Sequence, residues 1–149
     1  MKFKKNKNEN LQVRMNNIKI DHIAIRVSNF QRSINFYSKY FGFRQVDSLD
    51  APPEGKEVHL ESNGVHLELF LVKSAKEPDL GPLGRNERGI CHPCFSVNNL
   101  EEIYKKMKYE GVPITLDLTT FTLNSGKRGK CFFFKDPDDT IIEIIEWSK

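Results

Sequence analysis

Two histidines and two glutamates stand at matching places in the two halves of this chain, and together they could hold a metal ion. His22 opens the stretch Ile20-Asp-His22-Ile-Ala-Ile25-Arg-Val27-Ser-Asn-Phe30; His92 has the same place in Ile90-Cys-His92-Pro-Cys-Phe95-Ser-Val97-Asn-Asn-Leu100. Later in each half an apolar stretch carries one glutamate, Leu67-Glu68-Leu69-Phe70 and Ile142-Glu143-Ile144-Ile145. Imidazole nitrogens and carboxylate oxygens suit divalent Ni, Zn, Co, Mn or Fe, with positions left for water or substrate oxygens. A lone histidine on a strand is more often packed or solvated than a ligand. A repeat that duplicates the donor together with the apolar pattern points to a site built between two halves.

Strands must position these donors, and their parity decides who shares a surface. Residues 20–27 alternate with β-branched enrichment, which predicts a strand with His22, Ala24 and Arg26 on one face and Ile23, Ile25 and Val27 on the other. Ser28 or Asn29 supplies an N-cap for a helix carrying Ile34, Tyr37 and Phe41, and Gly42 closes it. Strands are expected over 43–47, 57–61 and 65–72, with Asn63-Gly64 as the hairpin between the last two. The second half repeats this grammar: a strand at 90–97, a helix at 99–109 ended by Gly111, then strands at 113–116, 130–135 and 140–147. Asp136-Pro-Asp-Asp139 reads as the turn before the last strand. Each half is thus β-α-β-β-β, and His22, Glu68, His92 and Glu143 all point away from the helix-covered side. If the two sheets curl against each other, the four converge in one cavity.

Pro93 removes a ladder donor beside His92, so either that strand begins late or its proline side is an edge. The Cys91-His-Pro-Cys94 spacing invites a redox or zinc reading, but parity turns Cys91 towards the core and Cys94 towards the cavity. Cys131 is solitary. His59 and His66 lack repeat mates, although His66 shares the face of Glu68. The polar stretch 119–130, with Asn124-Ser-Gly126, reads as a loop able to act as a lid.

The 149 residues, 38% of them hydrophobic with eleven Phe, suffice for one domain or two small modules sharing a core. The expected organisation is a basic disordered arm over 1–16, a first module over 17–73, a Pro-, Gly- and charge-rich linker over 74–87 and a second module over 88–149. No apolar run is long enough to span a bilayer, and the arm lacks the apolar region of a secretory signal. A net charge of +3 without a basic, aromatic-laced stripe gives no nucleic-acid or membrane partner. An odd cysteine count without a signal suggests a reducing cytoplasm.

In these motifs the chain resembles the vicinal-oxygen-chelate (glyoxalase/bleomycin resistance/dioxygenase) superfamily. The carrying segments, between about Ile18 and Trp147, are His22-Ile-Ala-Ile-Arg-Val27, Phe36-Tyr37 with Phe41-Gly42-Phe43, Gly89-Ile-Cys-His92 with Phe95-Ser-Val97, and Asp136-Pro137-Asp138 leading to Ile142-Glu143. The resemblance implies an α+β fold of two βαβββ modules forming a curved eight-stranded mixed sheet around a metal cleft, with the helices outside. It implies one divalent metal ion held by His22, Glu68, His92 and Glu143. Such a four-ligand set is most similar to glyoxalase I, which makes an S-2-hydroxyacyl thiol from a 2-oxoaldehyde–thiol hemithioacetal through a metal-bound enediolate. Glu143 would be the catalytic base, with Glu68 as ligand or partner base.

Arg26 and Arg88 resemble the residues that hold the carboxylates of glutathione or another low-molecular-weight thiol, a task suited to an arginine fork. Two positions depart from the pattern. Val72 replaces an expected glutathione-binding Asn, which weakens the case for that thiol, and Asp139 replaces a turn Gly. Competing readings are a thiol transferase, an epimerase, a ring-cleaving dioxygenase or a non-catalytic small-molecule binder. A homodimer acting on a small-molecule substrate is expected, because dimerisation commonly covers sheet edges in small proteins of this architecture.

Overall fold

The computed structural model describes residues 20–51, 55–72 and 90–148; the arm, the linker and Arg88 lie outside them. The first module runs β1 (Ile23–Val27), α1 (Phe30–Phe41), β2 (Arg44–Ala51), β3 (Gly55–Ser62) and β4 (Val65–Leu71). The second runs β5 (Cys94–Ser96), α2 (Leu100–Tyr109), β6 (Ile114–Thr122), β7 (Arg128–Lys135) and β8 (Ile141–Trp147). The eight strands divide into two mixed four-stranded sheets, ordered β1-β4-β3-β2 and β5-β8-β7-β6. In each, the first strand pairs in parallel with the last and the remaining pairs are antiparallel.

Local chemistry sets the helix ends. The Asn29 side chain accepts from the backbone N–H of Arg32 at 3.0 Å, and Gly42 adopts φ 67° to close α1. Strand parity holds: Ile25 and Val27 are buried while Ala24 and Arg26 are exposed, and Leu67 and Leu69 are buried on either side of Glu68.

Both helix-covered faces drain into a single core. Val27, Leu60, Leu67 and Leu69 of the first module share it with Phe132, Phe134, Ile142 and Ile144 of the second. Aromatic rings of α1 form the seam, Phe41 lying 5.4 Å from Phe95 and 6.0 Å from Phe134 between ring centroids. Polar groups lock this seam. The Tyr37 hydroxyl donates to Asp136 at 2.7 Å. Asp138 accepts from the Ser28 backbone N–H (2.9 Å), the Ser28 hydroxyl (2.6 Å), Arg32 (2.6 Å) and the Ser33 hydroxyl (3.1 Å). The Asp136-Pro-Asp turn of one module therefore clamps the start of the helix of the other.

Three expectations need correction. The strand expected at 90–97 begins only at Cys94, because Pro93 precedes it. As an edge strand β5 gives up no ladder bond to that proline, and the Pro93 carbonyl still accepts from Glu143 N at 3.0 Å. Cys91 is consequently exposed rather than turned to the core. The stretch 119–130 is not a free loop. Thr119, Thr120, Phe121 and Thr122 pair with Cys131, Lys130, Gly129 and Arg128, leaving a short turn at Asn124-Ser-Gly126.

Candidate metal centre

Each edge strand presents its histidine just before it starts, and each last strand answers with its glutamate. Ala24 is the register partner of Glu68, and Cys94 of Glu143, so His22 and His92 each lie two residues upstream of the matching position. His22 Nε2 is 3.1 Å from Glu68 Oε2, and His92 Nε2 is 3.1 Å from Glu143 Oε2. The repeat is therefore reproduced in side-chain geometry as well as in sequence. Both glutamates are largely withdrawn from solvent, at 12% and 17% exposure.

The four donors do not gather within one chain. No three of them bring a ligand atom each within 4.8 Å of one another. The physical reason is the shared core: the helix-covered faces pack together, so the faces carrying the donors turn outwards at separate places. Two half-sites result.

Their surroundings differ in kind. Around Glu68 the wall is polar: His59 is its direct cross-strand partner, and Glu57 follows on the same face. The other ring nitrogen of His22, Nδ1, pairs with Asp21 at 3.0 Å. That contact, and more weakly Glu68, hold the imidazole pKa above its ordinary value. A carboxylate behind an imidazole in this way fixes ring orientation and strengthens the outer nitrogen as a donor. Around Glu143 the wall is apolar: Phe133 is its cross-strand partner, and Ile141, Ile145 and Cys131 are buried beside it. The His92 ring meets Phe133 edge-on at 4.9 Å. Cys94 keeps part of its surface exposed, but its thiol lies against Glu143. Burial, and then that carboxylate, push its pKa to about 12, and the same causes push Cys131 to about 11. Neither thiol is a thiolate near neutral pH.

Arg26 points along the same face as Glu68 and lines an open depression of about 440 Å³ together with Ala24, Phe70, Leu71 and Val72. The arginine and the unexpected valine thus share one surface. His66, which shares parity with Glu68, is exposed at the hairpin end opposite Glu61, so His59 rather than His66 is the histidine at the site. Asp21, Glu57 and His59 are the residues that repeat-matching overlooks, since none has a mate in the second half. The hairpin register was available to find two of them: a two-residue Asn63-Gly64 loop places His59 opposite Glu68.

The donor set fits a divalent ion. A nitrogen and an oxygen 3.1 Å apart match two neighbouring ligands each about 2.1 Å from one ion. Each pair offers one imidazole nitrogen and one carboxylate oxygen, and both imidazoles present Nε2.

Known proteins with the same patterns point in one direction. The family model described as the Glyoxalase/Bleomycin resistance protein/Dioxygenase superfamily matches residues 19–144. A lactoylglutathione lyase of Schizosaccharomyces pombe is 27% identical over 89% of this chain, which spans 46% of that longer protein. The YwkD protein of Bacillus subtilis, itself uncharacterised, is 30% identical over 85% of this chain and 95% of its own length. Among solved structures, a glyoxalase family protein from Enterococcus faecalis superposes with a TM-score of 0.67 at 27% identity, covering 86% of this chain and 97% of that one.

Proposed function

This chain belongs to the glyoxalase/bleomycin resistance/dioxygenase superfamily, and from that premise we propose that it is a metal-dependent isomerase of the glyoxalase I type. The observation that carries this reading is the pair of His–Glu contacts, His22–Glu68 and His92–Glu143, at equivalent places of the repeat and at the same 3.1 Å. In this reading the four side chains are the ligands of one ion, and two copies of the chain associate so that the first-module pair of one meets the second-module pair of the other. A symmetric dimer joined this way contains two complete sites.

The reaction isomerises the hemithioacetal of a 2-oxoaldehyde and a thiol. The C1–H bond breaks, the proton goes to a carboxylate and returns to C2. The hemithioacetal carbon becomes the thioester carbonyl and the ketone becomes an alcohol, with no external oxidant or reductant. When bound, the ion supplies Lewis acidity to the two adjacent substrate oxygens, where negative charge develops. Glu143 is the base that carries the proton. Its apolar surroundings of Phe133, Ile141 and Ile145 keep competing water away from the transfer. Glu68, between two imidazoles, serves as ligand.

Arg26 binds an anionic end of the thiol in the depression beside Glu68. Val72 on the same wall offers no hydrogen bond, which favours a low-molecular-weight thiol that differs from glutathione at that contact.

The test is metal content together with turnover of methylglyoxal in the presence of several thiols. Purified protein is expected to carry a divalent ion and to form an S-2-hydroxyacyl thiol. Glu143→Gln should keep most of the metal while losing turnover by about 10²–10⁴-fold, the usual worth of a positioned general base. Protein that stays metal-free after nickel and zinc loading, or a Glu143→Gln variant with near-normal rate, would refute the assignment.

A further inference from the structure

The first module carries more donors than the repeat requires. Glu57 and His59 lie on β3, on the face that bears Glu68. Glu68 presents one oxygen to each neighbour: Oε2 is 3.1 Å from His22 Nε2, while Oε1 is 3.7 Å from His59 Nε2. Glu57 Oε2 lies 3.8 Å from that same His59 nitrogen, and one ligand atom from each of Glu57, His59 and Glu68 falls within 4.8 Å of the others.

These separations exceed a hydrogen bond, whose N···O distance runs to about 3.2 Å. They are close to the edges of a coordination shell. Donors each about 2.1 Å from one ion stand roughly 3.4–3.7 Å apart at angles from tetrahedral to trigonal. Charge argues the same way. The Glu57 and Glu68 side chains are only 14% and 12% exposed, so two carboxylates and an imidazole converge in a partly dry setting, the surroundings a divalent cation exploits.

The second module is an internal comparison. Its residues at the matching register positions are Cys131 and Phe133, the latter opposite Glu143 as His59 is opposite Glu68. It has no counterpart of the extra donors.

We propose that Glu57, His59 and Oε1 of Glu68 hold a second divalent cation, of the zinc or manganese class, adjacent to the one assigned to His22 and Oε2 of Glu68. The Glu68 carboxylate then bridges two ions, the arrangement by which paired metals sit about 3.5–4 Å apart. The bridge rests on the assignment of His22 and Glu68 as ligands, but the second ion requires nothing of the isomerase reaction.

Stoichiometry and spin coupling test it. Full-length protein stripped with a chelator, reloaded with zinc and buffer-exchanged should contain two ions per chain. His59→Ala, His59→Asn and Glu57→Gln should each contain one, with circular dichroism confirming their fold. Loaded with manganese instead, the wild type should give the paramagnetic resonance signal of an exchange-coupled pair, and His59→Asn an uncoupled one. A single ion per chain at saturating zinc, or two ions persisting in all three variants, overturns the second site. Hemithioacetal turnover, measured on the same samples, separates the two readings. An inactive protein binding two ions supports the second site and refutes only the isomerase. An active protein with one ion refutes only the second site.

Discussion

Replacing Asp138 with alanine should be among the most destabilising changes available outside the apolar core. Its carboxylate is 10% exposed and accepts from one backbone N–H, two hydroxyls and the Arg32 guanidinium, all belonging to the other module. Hydrogen bonds to a charged group contribute about 1.5–3 kcal/mol each when measured singly, but four on one carboxylate are far from additive. The Arg32 contact must be discounted because that side chain is 47% exposed and well screened. What remains is chiefly the Ser28 N–H and the two hydroxyls, which water can partly re-solvate. A loss of about 2–4 kcal/mol follows. Equilibrium unfolding in urea measures it, with Asp139→Asn as control. Asp139 is 52% exposed, pairs with Lys135 at 2.9 Å and holds φ 63°, a backbone conformation asparagine tolerates, so loss of its charge should stay within about 0.5 kcal/mol. A clamp between modules also predicts that Asp138→Ala broadens the transition or splits it in two as the halves uncouple. If Asp138→Ala and Asp139→Asn lose equally little, the turn is not a clamp.

Two further outcomes follow from the same seam and from the β6–β7 hairpin. Burial, and then the neighbouring Asp136, push the Tyr37 hydroxyl well above its ordinary pKa. The unfolded chain therefore ionises this group first, and stability present below pH 10 declines as pH rises, by up to about 1.4 kcal/mol per pH unit. Tyr40, Cys94 and Cys131 shift in the same direction, so the diagnostic is the difference. Tyr37→Phe should be less stable at pH 8 by about 1–3 kcal/mol, yet show a shallower alkaline slope in thermal unfolding. Gly129→Ala should cost about 1–3 kcal/mol in the same assay. A Cβ there would meet Phe121 at 2.8 Å and the Glu146 carbonyl at 3.2 Å, and Phe121 is held by Trp147 at 5.4 Å between centroids. An unchanged melting temperature would show that the hairpin yields freely.

Parity along the strands was enough to put His22, Glu68, His92 and Glu143 opposite the apolar core, because each is flanked by residues that had to be buried. It could not say which faces meet. The shared core depends on Phe41, Phe95 and Phe134 interlocking across two modules, a long-range fit that no local pattern carries. The pairing of 119–122 with 128–131 was illegible for a different reason. Register shifts between Ile114 and Leu116 and between Leu116 and Thr119 break the period of two, and the solvated face of an edge strand is polar enough to pass for a loop. His59 has no repeat mate, although the Asn63-Gly64 turn specifies Glu68 as its cross-strand partner. A repeat reveals what two halves share and hides what one of them has added.

That added chemistry bears on the division of labour between the glutamates. If the two half-sites were equivalent, either Glu68 or Glu143 could serve as base, and the choice would be arbitrary. They are not equivalent. Glu68 has an imidazole at each oxygen, so both lone-pair directions are committed to positions where a cation or a proton already competes for them. Glu143 meets one imidazole, two protonated thiols of low donor strength and the ring of Phe133. A carboxylate that must take a proton and give it back needs one oxygen able to change state without dismantling a network. In the proposed isomerase, only the second module provides that freedom. The fold is duplicated, but with Cys131 and Phe133 standing where the first module has Glu57 and His59, that reading gives one copy the work of holding charge and the other the work of moving it.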